Sequence, residues 1–157
     1  MAQVVMHPDL AGLSFLLGTW RGEGEGTWPG GEPFTFGEEL AFEHVGEPYL
    51  LYRQRSWETD GGGAIHLERG FVRPGASGRI ELVLAHPLGV AEVAEGTVHG
   101  PTLEVATTAV AVTSTGSPVT ELRRRIRVDG DVLTYELDMA TRDVALVSHI
   151  RSRLERA

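Results

Sequence analysis

Short runs of alternating apolar and polar residues, cut by Gly, Pro and Asp, dominate the chain. Leu40, Phe42 and His44 alternate with Glu39, Ala41 and Glu43, and the turn Gly46-Glu47-Pro48 follows. Residues 49–57 and 65–73 form two more runs on either side of Asp60-Gly61-Gly62-Gly63. After Pro74-Gly75-Ala76-Ser77-Gly78, Ile80, Leu82 and Leu84 alternate with Glu81, Val83 and Ala85. Residues 90–98, 102–112, 121–128 and 132–139 continue the pattern. A period of two predicts strands with one buried face. About ten of them, with no linker and no repeat, predict one all-β domain over residues 1–157. Sequential hairpins favour an antiparallel up-and-down β-barrel, a shape that encloses a small-molecule cavity.

One hairpin is specified further. Asp129-Gly130 predicts a type I′ turn, with Val128 opposite Asp131, Ile126 opposite Leu133 and Arg124 opposite Tyr135. Arg123 then pairs with Glu136, and Arg125 lies diagonal to it. Residues 8–17 predict a short helix or turn, with residues 1–9 as a flexible terminus. Residues 146–154 fit two patterns. Leu146, Ile150 and Leu154 suit a helix, whereas His149, Arg151 and Arg153 against Ile150, Ser152 and Leu154 suit a strand.

Composition narrows the chemistry. The formal charge is −8, which disfavours nucleic-acid partners. All 14 basic residues are Arg, and without Lys there is neither a Schiff base nor a Walker-type phosphate loop. The chain has no Cys, which removes disulfides, thiolate chemistry and covalent c-type haem. No secretory leader or membrane-length apolar run is apparent, so the expectation is a cytoplasmic protein without a membrane partner. The carboxylates look scattered, with neither metal-loop spacing nor a paired-acid site.

The motifs add a resemblance. Gly18-Thr19-Trp20-Arg21-Gly22-Glu23-Gly24 matches the Gly-x-Trp-x-Gly-x-Gly opening of the nitrobindin family, with Trp20 expected to plug one barrel end. His66-Leu67-Glu68-Arg69-Gly70-Phe71-Val72-Arg73, Ala85-His86-Pro87-Leu88-Gly89 and Glu95-Gly96-Thr97 resemble further segments in order. Ser148-His149-Ile150-Arg151 resembles the terminal segment. Together these cover about residues 10–154. The resemblance implies a ten-stranded barrel, lipocalin-like and shaped like the fatty-acid-binding proteins. It implies non-covalent ferric haem b, one per chain, with His149 as axial ligand to the iron. Nitric oxide and peroxynitrite are the implied ligands, with isomerisation of peroxynitrite to nitrate, in a monomer or homodimer. Trp28-Pro29-Gly30 stands where the family has Tyr-Pro-Thr, so Gly30 would meet the haem through backbone only.

The remaining candidates carry less. His66 reads either as a pocket-lining residue or as an ordinary strand histidine. His44 and His86 read as structural, and His99 as a turn residue. Arg123 and Arg125 read as a salt-bridged outer face, with Arg124 pointing the other way. The rival to the haem reading is a carrier of a fatty acid or other apolar ligand.

Overall fold

Each alternating run becomes a strand. The computed structural model describes residues 2–157. Its strands are β1 (Gly18–Thr27), β2 (Pro33–His44), β3 (Leu50–Glu58), β4 (Ala64–Pro74) and β5 (Arg79–His86). They continue as β6 (Val90–His99), β7 (Thr102–Val112), β8 (Val119–Asp129), β9 (Val132–Thr141) and β10 (Val147–Arg156). Every strand pairs antiparallel with its chain neighbours, and β1 pairs with β10 to close the barrel. Closure gives every strand two partners, so none is an edge strand. The expected ten-stranded up-and-down barrel is what forms, and the ambiguous tail is its last strand.

Before β1, Pro8–Leu16 forms a 3₁₀ helix whose first turn is capped by His7, the Nδ1 of which accepts from the Asp9 amide at 3.2 Å. Of the terminal segment expected to be flexible, Met1 lies outside the described residues, Met6 packs against the core, and Pro8 and Asp9 begin this helix. Leu10, Leu13 and Leu16 are buried and stop one end of the barrel together with Trp20. The Trp20 indole N–H donates to the Leu16 carbonyl at 2.9 Å, and the Arg156 guanidinium covers its ring at 4.1 Å. Around this plug pack Leu40, Leu50, Ile80, Leu103 and Leu133.

The β8–β9 hairpin departs from the expected register. Asp129 faces Val132, so Val128 meets Leu133, Ile126 meets Tyr135 and Arg125 meets Glu136. Arg124 lies opposite Leu137, and Arg123 opposite Asp138. The turn residues are Gly130 and Asp131, not Asp129 and Gly130. Gly130 has φ +59°, and Ser77 is the only non-glycine with positive φ among the described residues. Gly in the first central position with a normal residue after it is the type II′ arrangement rather than I′. The slip is two residues, one full strand period, so every side chain keeps its predicted face.

Candidate functional site

The loops alternate between two ends. Opposite the Trp20 plug, the barrel holds a cavity of about 510 Å³. Its wall is mainly apolar, with Trp28, Phe34, Leu88, Val119 and Met139 among the lining residues. The glycine motif makes part of this space. After Trp20, the inward positions of β1 are Gly22, Gly24 and Gly26. A Cβ at Gly24 would stand 2.6 Å from the Phe36 ring, and one at Gly26 would stand 2.7 Å from the Phe34 ring. Bare backbone on β1 therefore lets two aromatic rings of β2 lie across it and line the cavity.

His149 enters this cavity by a local irregularity. The β9–β10 ladder runs Ser148 to Asp138 and then Ile150 to Leu137, so His149 is an extra residue in a β-bulge. Strict alternation would turn His149 outward beside Arg151 and Arg153. The bulge re-aims it, and consecutive residues His149 and Ile150 both line the cavity. The ring is buried, with Trp28 edge-on at 5.6 Å and Phe34 at 6.4 Å. Its Nδ1–H donates to the Thr27 carbonyl at 2.8 Å, which leaves the lone pair on Nε2. Burial holds its pKa below the ordinary histidine value, so the imidazole is neutral at pH 7. Thr27 is the backbone acceptor that a ligand histidine requires and that the sequence does not name.

Across the barrel lies a charged cluster. Arg124 of β8 is buried and reaches two glutamates. It donates to Glu68 Oε1 at 2.7 Å and to Glu92 Oε1 at 2.9 Å, and to the Tyr135 hydroxyl at 2.6 Å. The Tyr52 hydroxyl donates to Glu68 Oε1 at 2.7 Å. Burial alone would raise the Glu68 pKa, but the Arg124 charge, with a hydrogen bond from His66, holds it well below the carboxylate range. His86 lies between Glu92 and Glu68, its Nε2 3.2 Å from Glu92 Oε2 and its Nδ1 3.2 Å from both Glu68 Oε2 and His66 Nε2. Nearby, Gln54 donates to Glu38 Oε2 at 3.0 Å. Glu38 Oε1 has no partner, and burial pushes the Glu38 pKa up to about 7.

The expected site residues are distributed as follows. His149 and His66 both line the cavity. Trp20 closes the far end, and Gly22 and Gly24 lie on the inner wall between them. Gly18, at φ +115°, starts β1. Gly30 sits in a turn at the cavity end, and the cavity lining does not include it. Its φ is +80° and the Gly31 amide donates to the Trp28 carbonyl at 2.6 Å, which makes Trp28–Gly31 a type II turn. Two readings need correction. His86, read as structural, lines the cavity beside His66. The carboxylates, scattered along the chain, converge in space because alternate positions of β2, β4 and β6 face one interior. One signal for this was present, since Glu92 falls in phase with apolar Val90 and Ala94. The outer arginines behave as expected, with Arg123 on Glu121 at 3.0 Å and Arg125 on Glu104 at 3.2 Å.

A closed barrel with a deep apolar cavity and an inward, neutral imidazole defines a small-molecule-binding barrel. The chain belongs to the THAP4-like haem-binding β-barrel family, whose model ("THAP4-like, heme-binding beta-barrel domain") matches residues 9–156. This is the family the nitrobindin-type motifs indicate. The chain is 43% identical over 155 residues to a protein of Mycobacterium marinum named peroxynitrite isomerase 2, covering 96% of each. It is 41% identical over 157 residues to the peroxynitrite isomerase of Nocardia farcinica, covering 98% of this chain and 94% of that protein. The crystal structure of Rv2717c from M. tuberculosis superposes with a TM-score of 0.90 at 38% identity, over 98% of this chain and 99% of that one. No helix among the described residues is long and apolar enough to cross a membrane.

Proposed function

We propose that this chain binds haem b through His149 and isomerises peroxynitrite to nitrate, with nitric oxide as a further ligand. The observation that carries the reading is the setting of His149: bulged inward, neutral, and hydrogen-bonded through Nδ1 so that Nε2 holds the lone pair. Imidazole with this tautomer is the usual single protein ligand of haem iron, and the apolar wall suits a porphyrin face, so the residues fit the group. Family membership and relatives named peroxynitrite isomerases support the same reading.

The chain's own contributions follow from its residues. Thr27 fixes the tautomer and orientation of His149. Trp28 and Phe34 crowd the imidazole edge and keep water from it. The apolar lining lowers the local dielectric, so a bound anion is less screened than in water. Haem, when bound, would supply a redox-active iron centre for the rearrangement of peroxynitrite.

Hemin added to the purified chain is expected to give a Soret band, shifted by nitric oxide and lost in His149→Ala. The wild-type holoprotein is expected to accelerate peroxynitrite decay with nitrate as product. Unchanged haem binding in His149→Ala would sink the assignment. The apolar lining also suits a fatty acid or similar ligand. Native mass spectrometry distinguishes the two, because that reading requires co-purified lipid without porphyrin.

A further inference from the structure

His66, Glu68 and His86 carry a second feature that the haem reading does not use. His66 Nε2, Glu68 Oε2 and His86 Nδ1 converge, at 3.5 Å between the first two, 3.2 Å between the last two and 3.2 Å between the two nitrogens. No other group of His, Asp and Glu side chains converges in this way among the described residues. Tetrahedral bonds of about 2.0–2.1 Å place ligand atoms about 3.3 Å apart. The three atoms therefore have the spacing of one face of a tetrahedron.

The surroundings favour a cation over a network of shared protons. The His86 Nε2–H donates to Glu92 Oε2 at 3.2 Å, which leaves the lone pair on Nδ1. A carboxylate behind the outer nitrogen is how ligand histidines are oriented at metal centres. Glu68 Oε1 is held by Tyr52 and Arg124, while Oε2 accepts only a longer bond from Arg124, at 3.4 Å, and faces both histidines. With both imidazoles neutral and His86 protonated on Nε2, at most one proton, on His66 Nε2, lies among the three converging atoms. Charge points the same way. Glu68 and Glu92 bring two negative charges against the single positive charge of Arg124. All three candidate ligands line the cavity, so a fourth position opens to it. The ligands come from β4 and β5. The latter lies five strands from β10 in either direction round the barrel, so this site and His149 occupy opposing walls.

We propose that His66, Glu68 and His86 form a two-histidine, one-carboxylate site for a divalent transition-metal ion of the zinc or ferrous class. Its open position faces the barrel cavity, and Glu92 orients His86. The ligand set is that of hydrolytic zinc and non-haem iron centres, and it does not depend on haem.

The test is a Co²⁺ titration of the full chain without an affinity tag, after removal of bound metal, followed by visible absorption. We expect one Co²⁺ per chain, with the intense d–d bands of low coordination number and displacement by Zn²⁺. His66→Ala and His86→Ala are each expected to weaken binding at least tenfold, while His149→Ala leaves it unchanged. Far-UV circular dichroism checks that each variant keeps the barrel, and His66, more exposed than His86, is the substitution the fold tolerates better. A Zn²⁺-dependent rise in Tm, present in wild type and absent in His66→Ala, gives a second readout. Absence of stoichiometric binding by wild type would overturn the proposal and leave a proton-sharing cluster. So would binding that survives both His66→Ala and His86→Ala, or that disappears in His149→Ala.

Discussion

The plugged end of the barrel and its cavity end are made from the same ten strands, yet they bury opposite kinds of side chain. At the plugged end, Leu10, Leu13, Leu16 and Trp20 meet Leu40, Leu50, Ile80 and Leu133, and the one polar atom of Trp20 is satisfied by Leu16. At the cavity end and just beneath it the interior carries Glu38, Glu68, Glu92, Arg124 and His149. Packing alone explains the first set. The second is costly to bury, since each charge must be paired or neutralised. Stability and chemistry are thus separated along the barrel axis. Substitutions at the two ends should fail in different ways.

The largest loss is expected at the plug. Trp20→Ala removes a fully buried indole and should cost about 3–5 kcal/mol in denaturant unfolding. A loss below about 1 kcal/mol would mean that the plug is not what stabilises the barrel. Next comes Arg124→Met, which leaves Glu68 and Glu92 buried without their cation and should cost about 3 kcal/mol at pH 7. The sign with pH is fixed. The Glu68 pKa lies below its unfolded value, so the stability it adds is present above that value and lost as pH falls. The deficit of Arg124→Met should accordingly shrink in acid, whereas that of Trp20→Ala should hardly change. Equal behaviour of the two variants would erase the contrast between the ends.

Glu38 gives a smaller effect of opposite sign. Its pKa is raised from 4.5 to about 7, so the folded state holds a proton that the unfolded state releases. Wild-type stability from this group therefore falls as pH rises from about 4.5 to 7 and then levels off. Glu38→Gln removes that slope and should be about 2–3 kcal/mol more stable than wild type at pH 8, with little difference near pH 4.5. Parallel pH profiles for the two proteins would show that Glu38 does not carry the proton.

The same contrast governs what the residues disclosed in advance. Alternation defined the strands, and it placed Arg124 inward between outward Arg123 and Arg125, because face follows directly from a period of two. Gly18 to Gly24 pointed to Trp20 as a plug, since an inward Trp flanked by glycines has nowhere else to pack. The cavity end was harder. His149 shares phase with Arg151 and Arg153, so a regular strand would have exposed it, and only the unpaired residue of a bulge turns it inward. Bulges depend on how two strands meet, which a single run does not encode. The charged cluster was hidden for a related reason. Glu68 and Arg124 are 56 positions apart and meet only because the barrel closes. The register of β8 and β9 was missed by one strand period because Asp129-Gly130 and Gly130-Asp131 are both good turn pairs, and face does not discriminate between them.

The smallest effect tests the rim of the cavity. Gly30 occupies the third position of the Trp28–Gly31 turn at φ +80°, a conformation that costs an L side chain about 1 kcal/mol. Space is not the obstacle, because a Cβ there would meet only Val144 Cγ2, at an ordinary 3.7 Å. Gly30→Ala should therefore cost about 1 kcal/mol through backbone strain alone. Gly30→Thr, which adds the hydroxyl that the family resemblance implies at this position, should cost more, since β-branching disfavours positive φ further. Hemin titration of both variants separates conformation from contact. If the turn's role is to carry Trp28 to the cavity, alanine and threonine should weaken haem uptake alike. Tighter uptake by Gly30→Thr alone would show instead that the hydroxyl reaches the porphyrin, and that Gly30 reflects a weaker haem site rather than a turn requirement.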